Sequence, residues 1–326
     1  MKPVVVTGAA GFIASHLCEA LLAAGCTVYG IDAFSAHYAR ELKELNLLGA
    51  LAHERFAFHE LDILDPALDE LVGEAKWVFH LAARPGVRDS WSDFEDYNRA
   101  NILGTRAVLD SSARHHVRLI YASSSSVYGD APELPVSETA PLRPVSPYGA
   151  SKVMTEMLSG AYTRSYDVET VGLRYFTVYG PRQRPDMALA RFIEATLAGR
   201  EVRIFGDGRQ LRDFTYVGDV VAATVAAAER GRAGTVYNVA SSRALPLLDV
   251  LEVLGKALNR ELRLTFEQAK TGDVRDTWAS TDLASRELGF RAKMSLTEGL
   301  RAQVHEAQRR REALGSRHAE IASSAL

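Results

Sequence analysis

The chain has 326 residues, of which 47% are hydrophobic and 24% charged, a composition typical of a globular protein. This length predicts one or two domains with a large core and excludes a small scaffold held by disulfides or metal ions. The 38 Lys and Arg residues nearly balance the 41 Asp and Glu residues, for a net charge of −3, which favours neither nucleic acid nor an anionic membrane as a partner. The two cysteines, Cys18 and Cys26, lack the spacing of metal ligands, and we expect no metal site.

Short β-branched runs alternate with helical patterns through about the first 170 residues. The predicted strands are Val4–Thr7, Thr27–Ile31, Arg55–His59, Trp77–His80, Arg118–Ala122 and Glu169–Leu173. The predicted helices are Phe12–Ala24, Ala36–Gly49, Asp93–His115 and Tyr148–Tyr166. This alternation predicts an α/β fold with a doubly wound parallel sheet, the Rossmann arrangement.

The regular alternation ends after Leu173, where prolines and arginines crowd into residues 181–185. The run Thr235–Ala240 has the pattern of one more buried strand, so we expect the chain to return to the sheet. We therefore predict a Rossmann domain of residues 1–174 and 215–240 and a smaller C-terminal α/β domain of residues 175–214 and 241–315. Residues 316–326 are predicted to be a tail in which the last helix frays.

A glycine-rich turn, Gly8-Ala9-Ala10-Gly11, follows the first strand and opens the first helix, the context in which such a turn indicates a dinucleotide site. Gly8 permits the tight turn, and Gly11 lets a pyrophosphate approach the amides at the helix start, including those of Phe12 and Ile13. Ala14 stands where glycine is more usual, and we expect altered packing without loss of binding.

Acidic residues at the ends of the second and third strands indicate which dinucleotide binds. Asp32 is placed to accept hydrogen bonds from the adenosine ribose, and its charge would repel a 2′-phosphate, so the sequence favours NAD over NADP. Asp62 and Ile63 follow the third strand, where an acid can meet the adenine amino group. The alternative for Asp62 is a helix cap.

Tyr148 and Lys152 lie four residues apart at the start of a predicted helix and therefore share one face. A nearby ammonium lowers the pKa of a tyrosine below its usual value of about 10, so the pair can act as an acid and base. A serine run, Ser123 to Ser126, follows the fifth strand at the edge of the sheet where such folds bind ligands. A serine hydroxyl there can share the proton of a substrate alcohol with Tyr148.

In this order, the nucleotide turn, the serine run and the Tyr-x-x-x-Lys pair resemble the extended short-chain dehydrogenase/reductase family, in its nucleotide-sugar epimerase and dehydratase branch. The resemblance covers almost the whole chain. It implies a triad of Ser124, Tyr148 and Lys152, with Tyr148 as the base and Lys152 also holding the nicotinamide ribose. It places further residues near the cofactor, namely Asn101 and, after His80, Leu81, Ala82 and Ala83. It also implies a homodimer formed by the long helices.

By this resemblance, the residues before Val127-Tyr128-Gly129 indicate which of the family's reactions the chain catalyses. Dehydratases of this branch carry an Asp-Glu pair there and UDP-glucuronate decarboxylases a glutamate, whereas this chain has Ser125 and Ser126. It therefore implies NAD-dependent 4-epimerisation of a UDP-sugar through a transient 4-keto sugar. Arg212 matches an arginine that binds the diphosphate, with a surface charge as the alternative. Asp273 resembles the residue that meets the uridine ribose.

The segment Arg174 to Pro181 bears on which sugar is used. Glucose and galactose epimerases generally carry asparagine where this chain has Thr177, and the sequence around it is similar to that of 4-epimerases acting on UDP-glucuronic acid. Hydroxyls of Ser125, Ser126 and Thr177 can accommodate a carboxylate without a rigid clamp. Arg88 and Arg184 are the candidates for neutralising it, with the diphosphate or a surface ion pair as alternatives.

Three other functions stay open at this stage, of which UDP-glucuronate decarboxylation is disfavoured by Ser126, as described above, and the other two are as follows. One is UDP-glucose 4-epimerisation without a uronate preference, and the other is NAD binding without catalysis, which is disfavoured because Tyr148 and Lys152 are both present. The longest apolar run, Val220 to Ala228, has nine residues and is too short to span a membrane. The chain enters a predicted strand directly after Pro3, so we expect no signal peptide and a cytoplasmic location.

Overall fold

The computed structural model describes the backbone of residues 2–268, 272 and 274–324, and the side chains of these residues up to Leu314. The strands are β1 Val4–Thr7, β2 Val28–Asp32, β3 Phe56–Glu60, β4 Trp77–His80, β5 Arg118–Ser124, β6 Thr170–Tyr175, β7 Thr177–Tyr179, β8 Val202–Phe205, β9 Leu211–Tyr216, β10 Thr235–Val239, β11 Ala244–Pro246 and β12 Leu264–Glu267. The helices are α1 Phe12–Ala23, α2 Arg40–Leu51, α3 Leu68–Glu74, α4 Phe94–Tyr97, α5 Gly104–His115, α6 Pro147–Tyr166, α7 Ala188–Leu197, α8 Val217–Arg230, α9 Leu247–Leu258, α10 Asp282–Leu288 and α11 Leu296–Ser324.

Seven strands form one parallel sheet in the order β10-β6-β5-β4-β1-β2-β3. Helices cover both faces, so the central strands are buried throughout; Val4, Val5 and Val6 of β1 are each at most 1% exposed. The strand order reverses between β1 and β4. Ligands of doubly wound sheets bind in the crevice at this reversal, beyond the carboxyl ends of the strands. The predicted Rossmann fold is confirmed.

Two smaller sheets lie outside the Rossmann sheet, one of order β11-β9-β7 and one of order β12-β8. Their core is built with α7, α9 and α11 and includes Phe192, Leu254 and Leu300. The chain leaves the large sheet after Tyr175, returns with α8, which packs on α1, and adds β10 as an edge strand. The second unit is thus a mixed α/β layer beside the carboxyl ends of the large sheet.

The helix predicted over residues 93–115 is divided in the structure. α4 is followed by a π-helical turn, Asn98–Leu103, and α5 begins only at Gly104. Wider turns of this kind occur often at functional sites. The helix predicted from Ala36 begins instead at Arg40, after a turn.

The last helix, α11, extends to Ser324. The tail predicted over residues 316–326, in which this last helix frays, stays a prediction. Glu306 and Arg310, four residues apart on this helix, form an ion pair with a nitrogen–oxygen distance of 3.0 Å. No helix in the described part of the chain is both long and apolar enough to cross a membrane.

Candidate active site

The turn after β1 lies at the reversal of strand order. Gly8 has a φ of +73°, and a Cβ atom there would lie 2.8 Å from the Ala82 nitrogen and 2.9 Å from the Ala82 Cα. Only glycine permits this approach between the ends of β1 and β4. Gly11 precedes α1, and its amide donates to the Gly8 carbonyl oxygen at 2.8 Å. The free amides of this helix start form a cradle that fits a dinucleotide pyrophosphate.

The neighbours of these glycines line the same crevice. The side chain of Phe12 is buried in the core below the sheet edge, whereas Ile13 is partly buried. Leu81 and Ala83 flank Ala82 beyond the end of β4 and are also partly buried. We expect Phe12 to face a cofactor through its backbone amide only.

Asp32 ends β2 with a side chain that is 10% exposed. Its two carboxylate oxygens accept hydrogen bonds from the amides of Ala10, at 3.1 Å, and Phe34, at 2.8 Å. Lys43 of α2 lies 3.9 Å from the same carboxylate, and no motif in the sequence identifies this lysine as part of the site. Burial raises the pKa of Asp32, and the Lys43 charge and the two amides oppose that rise. The carboxylate is thereby held beside the nucleotide turn.

Asp62 does not cap a helix, because the next helix, α3, begins at Leu68 and has Ala67 at its N-cap. One carboxylate oxygen accepts from the Leu64 amide at 2.9 Å, and the other accepts from Arg99 at 2.8 Å. Ile63 points into the core, with 9% of its surface exposed. An adenine ring would therefore meet Ile63 through its backbone and Asp62 through a carboxylate already paired with Arg99.

Asn101 belongs to the π-helical turn and is 1% exposed. Its amide oxygen accepts from the Arg84 amide at 2.7 Å, and its nitrogen donates to the Arg84 carbonyl at 3.0 Å and to the Ser151 hydroxyl at 2.9 Å. These bonds tie the chain after β4 to the first turns of α6. Because its amide is committed in this way, we expect Asn101 to position the cofactor site.

His80, at the end of β4, is buried between Thr7 and Thr105, with nitrogen–oxygen distances of 2.8 Å and 3.1 Å. Burial, together with the Lys152 charge, lowers the pKa of His80 to about 3. His16 of α1 donates to the Pro181 carbonyl oxygen at 2.9 Å, and burial, aided by the Arg182 charge, lowers its pKa to about 4. Both rings are therefore neutral at pH 7 and serve as structural links.

Because both histidines are neutral in the folded chain, we expect the free energy of unfolding to depend on pH in the acidic range. Between pH 6.5 and about 4 the unfolded chain binds protons that the folded chain does not, so the free energy of unfolding falls as the pH falls. His16→Gln keeps the donor and removes the titration. We expect the slope of unfolding free energy against pH to decrease by up to about 1.4 kcal/mol per pH unit, measured by urea unfolding. The control is His305→Gln, at an exposed site, and equal slopes for the two variants would contradict the prediction.

Tyr148 lies in the first turn of α6, which starts with Pro147 and is capped by Ser146, whose hydroxyl accepts from the Gly149 amide at 3.0 Å. Burial raises the pKa of Tyr148, whereas a hydrogen bond with Ser124 and the positive charge of Arg184 lower it. The structure therefore brings Ser124 to the tyrosine hydroxyl from the end of β5. This arrangement can hold and move a proton at the phenol oxygen.

Lys152 follows one turn later and is 5% exposed. Its ammonium donates to the Ala122 carbonyl oxygen of β5 at 2.8 Å. Burial lowers the pKa of Lys152 to about 8, and Glu156 raises it. The side chain is thus an ammonium at pH 7 and loses its charge as the pH rises through about 8.

Glu156 and Arg174 form a buried ion pair below Lys152, with nitrogen–oxygen distances of 2.9 Å and 2.7 Å. Arg174 also donates to the Tyr128 hydroxyl at 2.7 Å. This network joins α6 to β6 and to the turn after the serine run. The spacing of four residues from Lys152 is the one signal in the sequence that could have identified Glu156.

The predicted sugar-binding hydroxyls come from two neighbouring strand ends. Ser125 and Ser126 form a short 3₁₀ turn after β5, where the Ser124 hydroxyl donates to the Ser126 hydroxyl at 3.2 Å. Thr177 begins β7, two residues after Tyr175, which pairs with Ser124 across the sheet. All three hydroxyl residues are partly buried, as a substrate crevice requires.

The two arginines predicted to meet a carboxylate differ in their surroundings. The Arg88 guanidinium lies over the Phe205 ring, 4.4 Å from its centroid. Arg184 forms two hydrogen bonds with Asp186, and its charge reaches Tyr148. Arg184 is therefore the better placed of the two for a group on the sugar.

Arg212, in β9, donates to the carbonyl oxygens of Val274 at 2.9 Å and Arg275 at 2.5 Å. These bonds disfavour the alternative in which Arg212 is only a surface charge, because they tie its guanidinium to the two residues that follow Asp273 in the chain. Asp273 itself lies outside the described residues. The described residues contain no group of three or more His, Cys, Asp or Glu side chains that could hold a metal ion.

Comparisons with known proteins agree with this geometry. The NAD dependent epimerase/dehydratase family matches residues 4–240. The UDP-glucuronic acid 4-epimerase of Bacillus cereus, solved with UDP-glucuronic acid and NAD, is 40% identical, with a TM-score of 0.90 over 94% of this chain and 99% of that chain. MoeE5, solved with the same two molecules, is 39% identical, with a TM-score of 0.85 over 94% and 99%. An uncharacterised UDP-glucose epimerase of Bacillus subtilis (strain 168), YtcB, is 39% identical over 92% of this chain and 96% of its own length. The chain belongs to the NAD dependent epimerase/dehydratase family.

Proposed function

We propose that this protein interconverts UDP-glucuronate and UDP-galacturonate by NAD-dependent epimerisation at C4. The observation that carries the proposal is the arrangement around Tyr148, whose pKa is influenced by both Ser124 and Arg184. An acid/base group and a cation thus lie together at the end of the sheet where a sugar binds. The similarity to an enzyme solved with UDP-glucuronic acid and NAD supports the same substrate.

In this proposal Tyr148 takes the proton of the 4-hydroxyl, Ser124 shares it, and Lys152 favours the phenolate by its charge. NAD, when bound, would supply the acceptor and donor of the C4 hydride. The 4-keto sugar turns over between these events, and Tyr148 gives the proton back on completion. The neutral hydroxyls of Ser125 and Ser126, with a pKa far above that of a carboxyl group, supply no acid for dehydration.

The substrate's anionic groups would be divided between two regions. We propose that Ser125, Ser126 and Thr177 hold the uronate carboxylate and that Arg184 neutralises its charge, with Arg88 as the second candidate for that role. Arg212 and Asp273 would hold the UDP part. A firm hold on UDP and a loose hold on the sugar are what turnover of the ring requires.

UDP-glucose 4-epimerisation is the second candidate. It is favoured by the fact that MoeE5 has been solved with UDP-glucose and NAD as well as with UDP-glucuronic acid. The deciding experiment incubates purified protein with UDP-glucuronate or UDP-glucose without added cofactor and resolves the products by chromatography. Conversion of UDP-glucuronate with the higher kcat/KM supports the proposal. The opposite preference supports the second candidate, and no conversion of either sugar overturns both.

Thr177→Asn tests the carboxylate site directly. Asparagine is the residue that the neutral-sugar enzymes carry, and it removes the hydroxyl proposed to meet the uronate. We expect the ratio of kcat/KM for UDP-glucuronate over UDP-glucose to fall by about tenfold, the worth of one hydrogen bond to a charged group. The matched control is Thr265→Asn, in the partly exposed strand β12, which should leave this ratio unchanged. An unchanged ratio would remove Thr177 from the substrate site.

We further infer a homodimer, formed by the face that α4, α5 and α6 share. Large apolar side chains are exposed there, among them Phe94 at 54%, Met157 at 54% and Tyr166 at 62%. Light scattering after gel filtration should give twice the mass of the chain. A single-chain mass at micromolar concentration would exclude the dimer.

The cytoplasmic location remains a prediction.

A further inference from the structure

The segment between β7 and α7 carries Arg184 and has a firmly held backbone. The Gln183 side chain donates to the Val178 carbonyl oxygen at 2.9 Å, and the Gln303 amide of α11 donates to Gln183 at 2.7 Å. On the other side, Pro181 accepts the hydrogen bond from His16 at 2.9 Å. Because these hydrogen bonds hold the backbone on both sides, we expect conformational changes in this segment to be confined to side chains that do not form them.

Arg184 and Asp186 are such side chains. Nε of Arg184 donates to Oδ1 of Asp186 at 3.0 Å and Nη2 donates to Oδ2 at 2.9 Å, so one whole edge of the guanidinium is taken up by a carboxylate. A uronate carboxylate would use the same paired geometry. The substrate and Asp186 therefore compete for one edge of Arg184. The pair is accessible, with Arg184 20% and Asp186 36% exposed.

Asp186 also has a second partner within reach. Nε2 of His37 lies 3.8 Å from Oδ1 of Asp186, too far for a hydrogen bond. The His37 side chain is 6% exposed, and its Nε2 has no hydrogen-bond partner among the described residues. A buried, unpaired ring nitrogen beside a carboxylate gains a hydrogen bond if the carboxylate moves toward it by about an ångström.

Burial of Asp186 favours its protonated form, but His37 and Arg184 outweigh burial and hold the pKa of Asp186 below its usual range. Asp186 is therefore a carboxylate at neutral pH and a full competitor for Arg184. His37 belongs to the segment that follows Asp32, at the adenosine side of the proposed NAD site. The contact thus joins the sugar side of the crevice to the cofactor side.

We propose that Asp186 is a positioning residue, a resident counter-ion that a uronate displaces from Arg184 and that His37 then receives. This inference rests on the proposed function. Competition makes the hold on the uronate weak enough for the 4-keto ring to turn, because each new contact of the substrate costs one internal contact. Neutral sugars leave the Arg184–Asp186 pair intact and gain nothing from its removal.

The test uses Asp186→Asn, which keeps the shape and removes the charge. In the NAD-loaded Tyr148→Phe background, where binding is measured without turnover, calorimetry should show UDP-glucuronate bound about tenfold more tightly, with UDP-glucose and UDP unchanged. In the active enzyme, KM and kcat for UDP-glucuronate should both fall, leaving kcat/KM nearly constant. Glu252→Gln removes an equal charge from an exposed side chain of α9 that pairs with Lys256, and it should change none of these values.

His37→Leu removes the second partner and should weaken UDP-glucuronate binding about threefold, but only while Asp186 is present. Unchanged binding of UDP-glucose confirms in each variant that the site is folded. An unchanged or weaker affinity of Asp186→Asn for UDP-glucuronate, or equal tightening for UDP-glucose, would overturn the proposal. A His37→Leu effect that persists with Asp186→Asn would overturn the transfer to His37. Because these readouts are affinities, they are separable from a failure of the epimerase assay.

Discussion

Replacing Tyr148 by phenylalanine is expected to lower kcat by about 10²-fold to 10⁴-fold, the usual contribution of a positioned acid/base group. The phenol oxygen is the atom that Ser124 contacts and that the Arg184 charge favours in its ionised form. Phenylalanine keeps the ring that packs against Tyr97, with centroids 6.3 Å apart, so the first turn of α6 should stay folded. The measurement is kcat with UDP-glucuronate, together with NAD content and the dissociation constant of UDP.

Tyr97→Phe is the matched control for that experiment. It removes a hydroxyl from the adjoining ring, where the oxygen donates to the Pro85 carbonyl at 2.6 Å and does not share the Ser124 contact. We expect kcat within about fivefold of the parent protein, the cost of one neutral hydrogen bond. The role of Tyr148 would be contradicted by residual activity within tenfold of the parent, or by equal losses in the two variants.

The pH dependence should show the role of Lys152. Its ammonium has a pKa of about 8, lowered by burial, so the charge that we propose favours the Tyr148 phenolate is present at pH 7 and is lost as the pH rises through 8. Activity limited by this group therefore declines on the alkaline side.

The strands that carry the site could be predicted because their signals are local. β1 and β4 have the bounds that the sequence predicted, and the glycine turn lies between a strand and a helix. Since parallel strands place their carboxyl ends at one edge, the side chains that follow them come together. Ser124 and Tyr148 are thus in hydrogen-bonding contact although they are distant in the sequence.

The contacts that the sequence did not reveal are those without a local signal. The π-helical turn at Asn101 depends on hydrogen bonds to Arg84 and Ser151, which are distant in the chain. The approach of His37 to Asp186 joins two segments that no periodicity relates. Both are long-range pairings of polar groups, and the hydrophobic pattern that predicts strands and helices does not specify them.

Gly8 is the position at which a single methyl group should have the largest effect on the cofactor. A Cβ atom would lie 2.8 Å and 2.9 Å from backbone atoms of Ala82, which cannot turn aside as a flexible side chain can. The φ of +73° adds strain for any residue with a Cβ. Relief requires β1 and β4 to separate at the reversal of strand order, which disrupts the cradle for the pyrophosphate.

We therefore expect Gly8→Ala to reduce the NAD bound per chain by at least about tenfold and to abolish turnover without added cofactor, while UDP binding persists. Gly199→Ala is the matched control, because Gly199 has a similar φ of +68° and no heavy atom within 4 Å of an added Cβ. It carries the same backbone strain without the collision, so its NAD content should equal that of the parent protein. Full NAD occupancy in Gly8→Ala, measured by absorbance after denaturation, would show that this turn does not hold the dinucleotide. Equal losses in both variants would assign the effect to strain alone.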